Sequence, residues 1–448
     1  MSRVRPLLFL LVAGALACAE SAPGLAPPGL DGQPASLFFP AGLALSKDGS
    51  NLYVASSNFD RHYSDGTLVR LPVSAFDEAA KAPSRRLSAL PSGVTVGLID
   101  GFAGDLELNP AGDALYLTTR DNELLTRVPL DAQGGFACDD HAVGGCSAGA
   151  VDLGVEDMQD PFALAFASLT PPGGTTPEPF VVVSHESPVT TGLTTSMDAF
   201  VAFIPESVAH SQAQLPFSHG AFRVDVGTVG SDSLAFDAAT RQLFVGGCYS
   251  RVDPQTVVTC QVDQSSPLTR TDPLRVVTPE GGSSTPVTQV ALGPLTGGGN
   301  TDAVALSSDG ARLYVATASP STLQTIALPL PGGESTPALL ASVPLADEPS
   351  KMIVLRRKPN DASGDLVVVT ATTTNAVLVV DPNRGEVLAQ LDPDSGIGKG
   401  PYALASEQTA TGDRVFVSLF NGCGVEAIDV PSADPFDTSV VGTVGSCP

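Results

Sequence analysis

Tryptophan is missing from the 448 residues of this chain, and positive charge is scarce, with 23 lysines and arginines against 48 aspartates and glutamates. The net charge of −25 repels phosphate backbones and anionic head groups, which disfavours nucleic acid as a partner. Beyond the N-terminus no run approaches the roughly 20 apolar residues that a transmembrane helix needs. Long stretches with a 3.6-residue apolar period are also missing, which removes helical bundles. There is no Gly-x-Ser-x-Gly elbow, no Walker loop and no Cys-x-x-Cys-His, so the commonest hydrolase, nucleotide and cytochrome readings fall away. Without Cys-x-x-Cys or clustered histidines, a zinc site has no ligands to recruit.

What the chain does have is 45 glycines, 38 prolines and a repeated strand pattern. Residues 302–328 show it best: an apolar strand (303–306), the turn Asp309-Gly310, a second strand (313–316), a polar loop and a third strand (323–328). Asp-Gly supplies the positive φ that a tight hairpin requires. Equivalent segments lie at 40–71, 105–130, 161–204, 233–260, 350–391 and 401–443, and the last two show a fourth strand. The segments at 161 and 233 lack the Asp-Gly turn but keep the strand order. One such meander cannot bury its own apolar face, so copies must stack. The count and spacing predict an all-β chain, a seven-bladed β-propeller of four-stranded antiparallel blades spanning 38–448. A β-helix fits less well, since its coils are shorter and lack the recurrent hairpin. Two ways of closing the ring stay open: 36–39 adding a strand to the last blade, or the C-terminal strand closing it alone.

Asp-Gly-x-x-Leu-Tyr-Val followed by Val-x-Val-x-Asp, seen in 48–54, 309–315 and 377–381, resembles the YVTN-type β-propeller repeat family. The resemblance implies an extracytoplasmic binding or surface protein, with lactonase-like and redox-enzyme relatives on similar seven-bladed scaffolds. Fold sets a prior for function and no more.

At the N-terminus, Arg3 and Arg5 precede the apolar run 7–16, the layout of a secretory signal over 1–17. Ala15-Leu16-Ala17-Cys18 resembles the bacterial lipobox, with Ala15 where Leu is usual, which implies acylation of Cys18. Ala19 in place of Asp then points to the outer membrane of a Gram-negative cell envelope, facing periplasm or cell surface. Residues 18–37, rich in Pro and Gly, read as a tether. The six remaining cysteines fall as near neighbours, Cys138 with Cys146, Cys248 with Cys260 and Cys423 with Cys447; six cysteines allow 15 connectivities, and an even number suits an oxidising compartment. A Cys423–Cys447 bridge is expected, because both flank the last blade.

In a four-stranded blade, the loop between the second and third strands and the loop into the next blade emerge on one face. That face collects Asn58, Asp60, His62, Arg120, Asp121, His185 and Glu186, together with Tyr249, Asn375 and Asn421 from the first kind of loop and Asp160, Asp232, Asn300, Lys351 and Lys399 from the second. Polar residues on loops of a rigid scaffold are the usual material of a binding site. The reading is a monomeric binding or scaffold module for a protein or polysaccharide partner, touching membrane through its lipid alone and with no predicted cofactor. The alternative is a lactonase-like or metal-assisted hydrolase at the channel mouth, using calcium or another divalent ion and a His62 or His185 acid-base pair with Asp60 or Glu186. The Asp-Gly turns face the other way and read as structural, since calcium needs six or more converging oxygens.

Overall fold

A computed structural model describes residues 25–30, 34–138, 145–154, 159–186, 189–190, 197–209, 220–227, 230–247, 252–253, 256–257, 274–284, 287–290, 299–328, 338–358 and 360–447. Among them, seven antiparallel sheets stand in a ring, each a meander of four strands. Blade 1 consists of Pro40–Leu45, Asn51–Ser56, Gly66–Pro72 and Thr95–Ile99. The innermost strands of blades 2 to 7 are Ala103–Leu108, Pro161–Leu169, Ser233–Asp237, Gly299–Leu306, Lys351–Arg356 and Pro401–Gln408. The seven-bladed propeller expected from the repeats is therefore the fold.

The second strand is among the most buried elements of its blade. Asn51–Ser56, Ala114–Thr119 and Asp365–Ala371 are buried at every position, which explains why the repeat carries apolar residues there without alternation. Side chains on either face of that strand pack against a neighbouring blade. The tyrosine of the Leu-Tyr-Val motif is the repeated device. Tyr53, Tyr116 and Tyr314 are fully buried, and each hydroxyl finds a polar group on another blade: Tyr53 donates to the Gly134 carbonyl at 2.9 Å, Tyr116 bonds Glu206, and Tyr314 donates to Asp365 Oδ2 at 3.0 Å. A phenolic group buried between sheets needs such a partner.

Asp-Gly turns lie on the face opposite the loops and are structural, as expected. Asp48 Oδ1 accepts from Ser46 Oγ at 2.6 Å and Ser50 N at 3.1 Å, and Asp309 Oδ1 accepts from Ser307 Oγ at 2.6 Å and Ala311 N at 3.0 Å. The glycines that follow have φ of +71° and +66°, the left-handed region that a side chain disfavours.

Ring closure differs from both expected forms. Residues 36–39 add no strand to blade 7, although Leu37 is buried against Val425 and Val444 in the core shared by blades 1 and 7. Between its third and fourth strands, blade 1 instead extends a helix, Ser74–Lys81, and a short strand, Arg86–Leu87, which pairs in parallel with the outermost strand of blade 7, Ser439–Val444. The helix lays Ala75, Phe76 and Ala79 on blade 7, with the Phe76 ring 5.0 Å from that of Phe416. Gly442 permits this approach, because a Cβ there would meet Ala79 Cβ at 2.9 Å and the Phe76 carbonyl at 3.1 Å. Eight residues are too few for a stable isolated helix, so this one depends on the surface it covers. No sequence period announced it.

Cys423 bonds Cys447, tying the end of the chain to blade 7, and Cys138 bonds Cys146. Cys18, Cys248, Cys260 and Tyr249 lie outside the described residues.

Two stability measurements follow. Phe76→Ala removes the ring that joins helix to blade 7 and is expected to cost about 3–5 kcal/mol in equilibrium urea unfolding, whereas Phe59→Ala, at a half-exposed position on the loop face, is expected to cost less than about 1 kcal/mol. Replacing Cys423 and Cys447 together by alanine opens a loop of 24 residues and is expected to lose about 3 kcal/mol under non-reducing conditions; an unchanged midpoint would show that the outer strand of blade 7 holds without the bridge.

Candidate functional site at the channel mouth

Five of the seven innermost strands carry a register shift at the same place. It falls between Pro40 and Gly42, Ala103 and Leu106, Pro161 and Leu164, Thr301 and Ala303, and Pro401 and Leu404. A bulge re-aims the side chain it displaces, and here the displaced residues turn to the channel axis or its mouth. Superposing the repeats on the apolar strand that follows, the equivalent residues are Ala41, Gly104, Phe162, Asp232, Asp302, Lys351 and Tyr402. They form the neck of the channel.

Lys351 is the centre of this layer. Its Nζ donates to the Asp232 carbonyl at 2.9 Å and lies 4.6 Å from the centroid of the Phe162 ring and 5.8 Å from that of Tyr402. Below it a cavity of about 120 Å³ is lined from all seven blades, including Asp105, Glu107, Asp232 and Lys351. Burial pushes the Asp302 carboxyl up to about 9, with Asp232 and Glu348 adding to the effect. Desolvation inside the narrow channel likewise raises Glu107 to about 8, with Asp105 reinforcing and Lys351 opposing, although its side chain is exposed. Asp232 rises to about 6 by burial, against the pull of Lys351 and Arg275.

Above the neck, a second cavity of about 210 Å³ opens among Phe59, Phe102, Phe162, Tyr402 and Phe420, with Arg120 and Glu186 on one side. The rings form a connected rim: Phe59 to Phe102 at 5.4 Å, Phe59 to Phe420 at 5.5 Å and Phe39 to Phe420 at 5.3 Å between centroids. Phe39 and Phe102 hold φ of +47° and +54°, a backbone region costly for an aromatic residue. Ser57 fixes both, its N–H donating to the Phe39 carbonyl at 3.0 Å and its carbonyl accepting from Phe102 N at 2.5 Å. Arg120 Nη1 pairs with Glu186 Oε2 at 2.6 Å, and its Nε lies 3.4 Å from Asp160 Oδ1. Burial raises Glu186 to about 7 despite the Arg120 guanidinium.

Of the loop residues expected at this face, the structure brings Arg120, Glu186, Asp160, Asp232 and Lys351 together. Asn58 is buried and pins its own loop, donating to the Tyr63 carbonyl at 2.8 Å and accepting from Tyr63 N at 3.0 Å. Asp60 and His62 are exposed on the rim, Asp60 accepting from His62 N at 3.1 Å. Asp121 accepts from Arg61 Nη2 at 2.9 Å. His185 is buried at the end of its strand, with Nδ1 3.1 Å from the Gln159 carbonyl, so it shares no surface with His62. Asn375 accepts from Gly400 N at 2.7 Å, and Lys399 is exposed. The Asn300 side chain lies outside the described residues. Among the described residues no three His, Cys, Asp or Glu side chains converge on one point that could hold a metal ion.

Sequence reasoning passed over Phe59, Phe102, Phe162, Tyr402, Phe420, Asp105, Glu107 and Asp302. Some signal was present. Once the repeats are aligned, the residue two places before the inner-strand leucine, valine or isoleucine is the neck position in every copy, and there the chain reads Ala, Gly, Phe, Asp, Asp, Lys, Tyr instead of a consensus.

No known family profile and no curated protein sequence matches the chain. Solved structures do. The chain is similar to hydrazine synthase of Kuenenia stuttgartiensis, at 11% identity and a TM-score of 0.52 over 88% of this chain and 96% of that one. It is also similar to the periplasmic gluconolactonase PpgL of Pseudomonas aeruginosa, at 14% identity and a TM-score of 0.45 over 79% and 84%, and to AztD of Citrobacter koseri, at 10% identity and 0.44 over 91% of each chain. At these identities the likeness is one of fold: this chain is a seven-bladed β-propeller.

Proposed function

We propose that this chain is a binding module of the bacterial cell envelope, of the YVTN-type propeller class, that takes a protein or carbohydrate partner at the loop-face mouth. The supporting observation is the aromatic basin around Phe59, Phe102, Phe162, Tyr402 and Phe420, whose rings come from the loops and inner strands of blades 1, 2, 3 and 7. Concave sites with apolar walls and a few fixed polar groups are where ligands bind. The positive φ shared by Phe39, Phe102, Asp160 and Gly400, each one residue before an inner strand, sets the loops that border this mouth. Lipid on Cys18 would hold the module at the outer membrane, with the tether confined to the segment before Leu25 and not reaching residue 37 as expected, because Pro27, Pro28 and Leu37 are buried against the propeller.

A second reading has a specific observation in its favour. Glu186, raised to about 7 beside Arg120 in the same basin, is poised as a general acid or base at neutral pH, which a lactonase-like hydrolase would use.

Glycan and peptide arrays probed with the native chain and with Phe59→Ala/Phe420→Ala separate the two. Binding spots retained by the native chain and weakened at least tenfold in the double variant, with no turnover of a lactone panel, are expected. Lactone turnover that Glu186→Gln abolishes would replace the binding reading by the enzymatic one. Intact-mass analysis of membrane-extracted protein is expected to show acylated Cys18 as the N-terminal residue; an unmodified Cys18 removes the lipid anchor.

A further inference from the structure

The neck has more carboxylate than cation. Asp105, Glu107 and Asp232 line the channel against the Lys351 ammonium, Asp302 stands beside Asp232, and the Arg275 guanidinium sits behind on the Gly230 and Gly247 carbonyls, at 3.0 Å each. Asp232 Oδ1 and Asp302 Oδ2 are enclosed without a hydrogen-bond partner. Enclosed carboxyl oxygens normally have partners, and a carboxyl that keeps its proton for want of one can exchange that proton for a positively charged group.

The walls say which kind of cation fits. Lys351 already seats one alkylammonium between the faces of Phe162 and Tyr402, the attraction of a cation for an aromatic face. A divalent metal prefers six or more oxygens, and the described residues do not converge in that way. The neck positions of blades 1 and 2 are the small residues Ala41 and Gly104, and Ala41 lines the upper cavity with Phe59 and Phe102. The 120 Å³ beneath, at least about four waters' share of liquid volume, leaves room for a head group.

We infer that the mouth and neck bind an alkylammonium group from outside, its apolar stem on Phe59, Phe102 and Phe420 and its head in the neck cavity beside Asp105 and Asp232, with Asp302 behind Asp232. This deepens the binding-module reading and rests on it. The chemistry is shared by a free diamine and by a lysine side chain of a protein partner.

Entry of the head group displaces protons from the raised carboxyls. With Asp302 near 9, Glu107 near 8, Glu186 near 7 and Asp232 near 6 when empty, Glu348 adding negative charge, and Lys351, Arg275 and Arg120 as the facing cations, affinity rises with pH between 6 and 9, by up to about tenfold per unit for each proton the head group displaces.

Titration calorimetry of the intact chain with n-pentylammonium, cadaverine and acetyl-Gly-Lys-Gly-amide, against 1-pentanol and calcium chloride, tests this. Expected are binding of the amines with the stated pH trend, none by 1-pentanol or calcium, and at least tenfold weakening in Asp302→Asn. Ala41→Leu, which narrows the upper cavity without changing charge, is expected to weaken it similarly, and circular dichroism of both variants confirms folding. Cadaverine binding tighter than the tripeptide assigns a free diamine, and the reverse a protein lysine. Three results overturn the inference: no amine binding, binding of 1-pentanol equal to pentylammonium, or calcium binding lost in Asp302→Asn. If array binding still depends on Phe59 and Phe420 while the amines fail, the mouth stands and the alkylammonium falls. If amines bind equally well to Phe59→Ala/Phe420→Ala, the neck stands and the mouth reading falls.

Discussion

The packing of one blade's second strand between its neighbours is the constraint on which everything else rests. Each sheet is too small to bury both faces, so stability lies between blades rather than within them. Tyr53, Tyr116 and Tyr314 combine a large apolar ring with a hydroxyl that must find an acceptor, and the acceptors Gly134, Glu206 and Asp365 sit on other blades. Such a residue fixes how two blades are rotated against each other, because the hydroxyl reaches its acceptor in one arrangement only. Where the motif loses its tyrosine, other contacts take over: Phe416 of blade 7 receives Phe76 from the helix of blade 1, and Arg357 of blade 6 pairs with Asp413 of blade 7 at 2.7 Å. The ring is therefore closed by ordinary inter-blade packing plus one added clasp.

That clasp explains how a chain with all four strands of its last blade from the C-terminal end can close with only the two-residue strand Arg86–Leu87 added from blade 1. Many rings exchange a full strand because the first and last blades otherwise meet through side chains alone. Here the segment from Ser74 to Leu87 crosses the boundary, and the Cys423–Cys447 bridge secures the end of the chain on the same blade. Arg414 adds charge at the seam, bonding Asp77 of the helix and Asp429 of its own blade at 2.8 Å each.

What was legible in the sequence follows from periodicity. Seven strand sets, the Asp-Gly turns and the face on which loops emerge could be read because each rests on a local pattern that recurs, and the Cys423–Cys447 pair because both cysteines flank the last blade. The helix Ser74–Lys81 could not, since eight residues give too short a period and its burial depends on Gly442, far away in sequence. The site was half visible. Arg120, Glu186, Asp232 and Lys351 were found because polar residues in loops attract notice. Phe162, Tyr402 and Asp302 were absorbed into strands, where a β-bulge that turns them to the axis leaves no mark in composition. His185 misled for the converse reason: it ends a strand in a polar sequence but points inward, held to the Gln159 carbonyl.

A ring of equivalent blades would by default build a symmetric neck, and a symmetric neck selects little. This chain breaks the symmetry at one layer. Phe162, Asp232, Asp302, Lys351 and Tyr402 occupy five consecutive blades, and Ala41 and Gly104 the two that remain. The small residues are constrained as well as permitted. A Cβ at Gly104 would meet Thr118 Oγ1 at 2.6 Å and the Phe162 ring at 3.4 Å, so glycine there lets Phe162 lie close to blade 2 while Thr118 donates to the Phe162 carbonyl at 2.7 Å. The placement of Phe162 in turn gives Lys351 its aromatic face. The aromatic face on which this cation is seated thus depends on a glycine on the neighbouring blade 2.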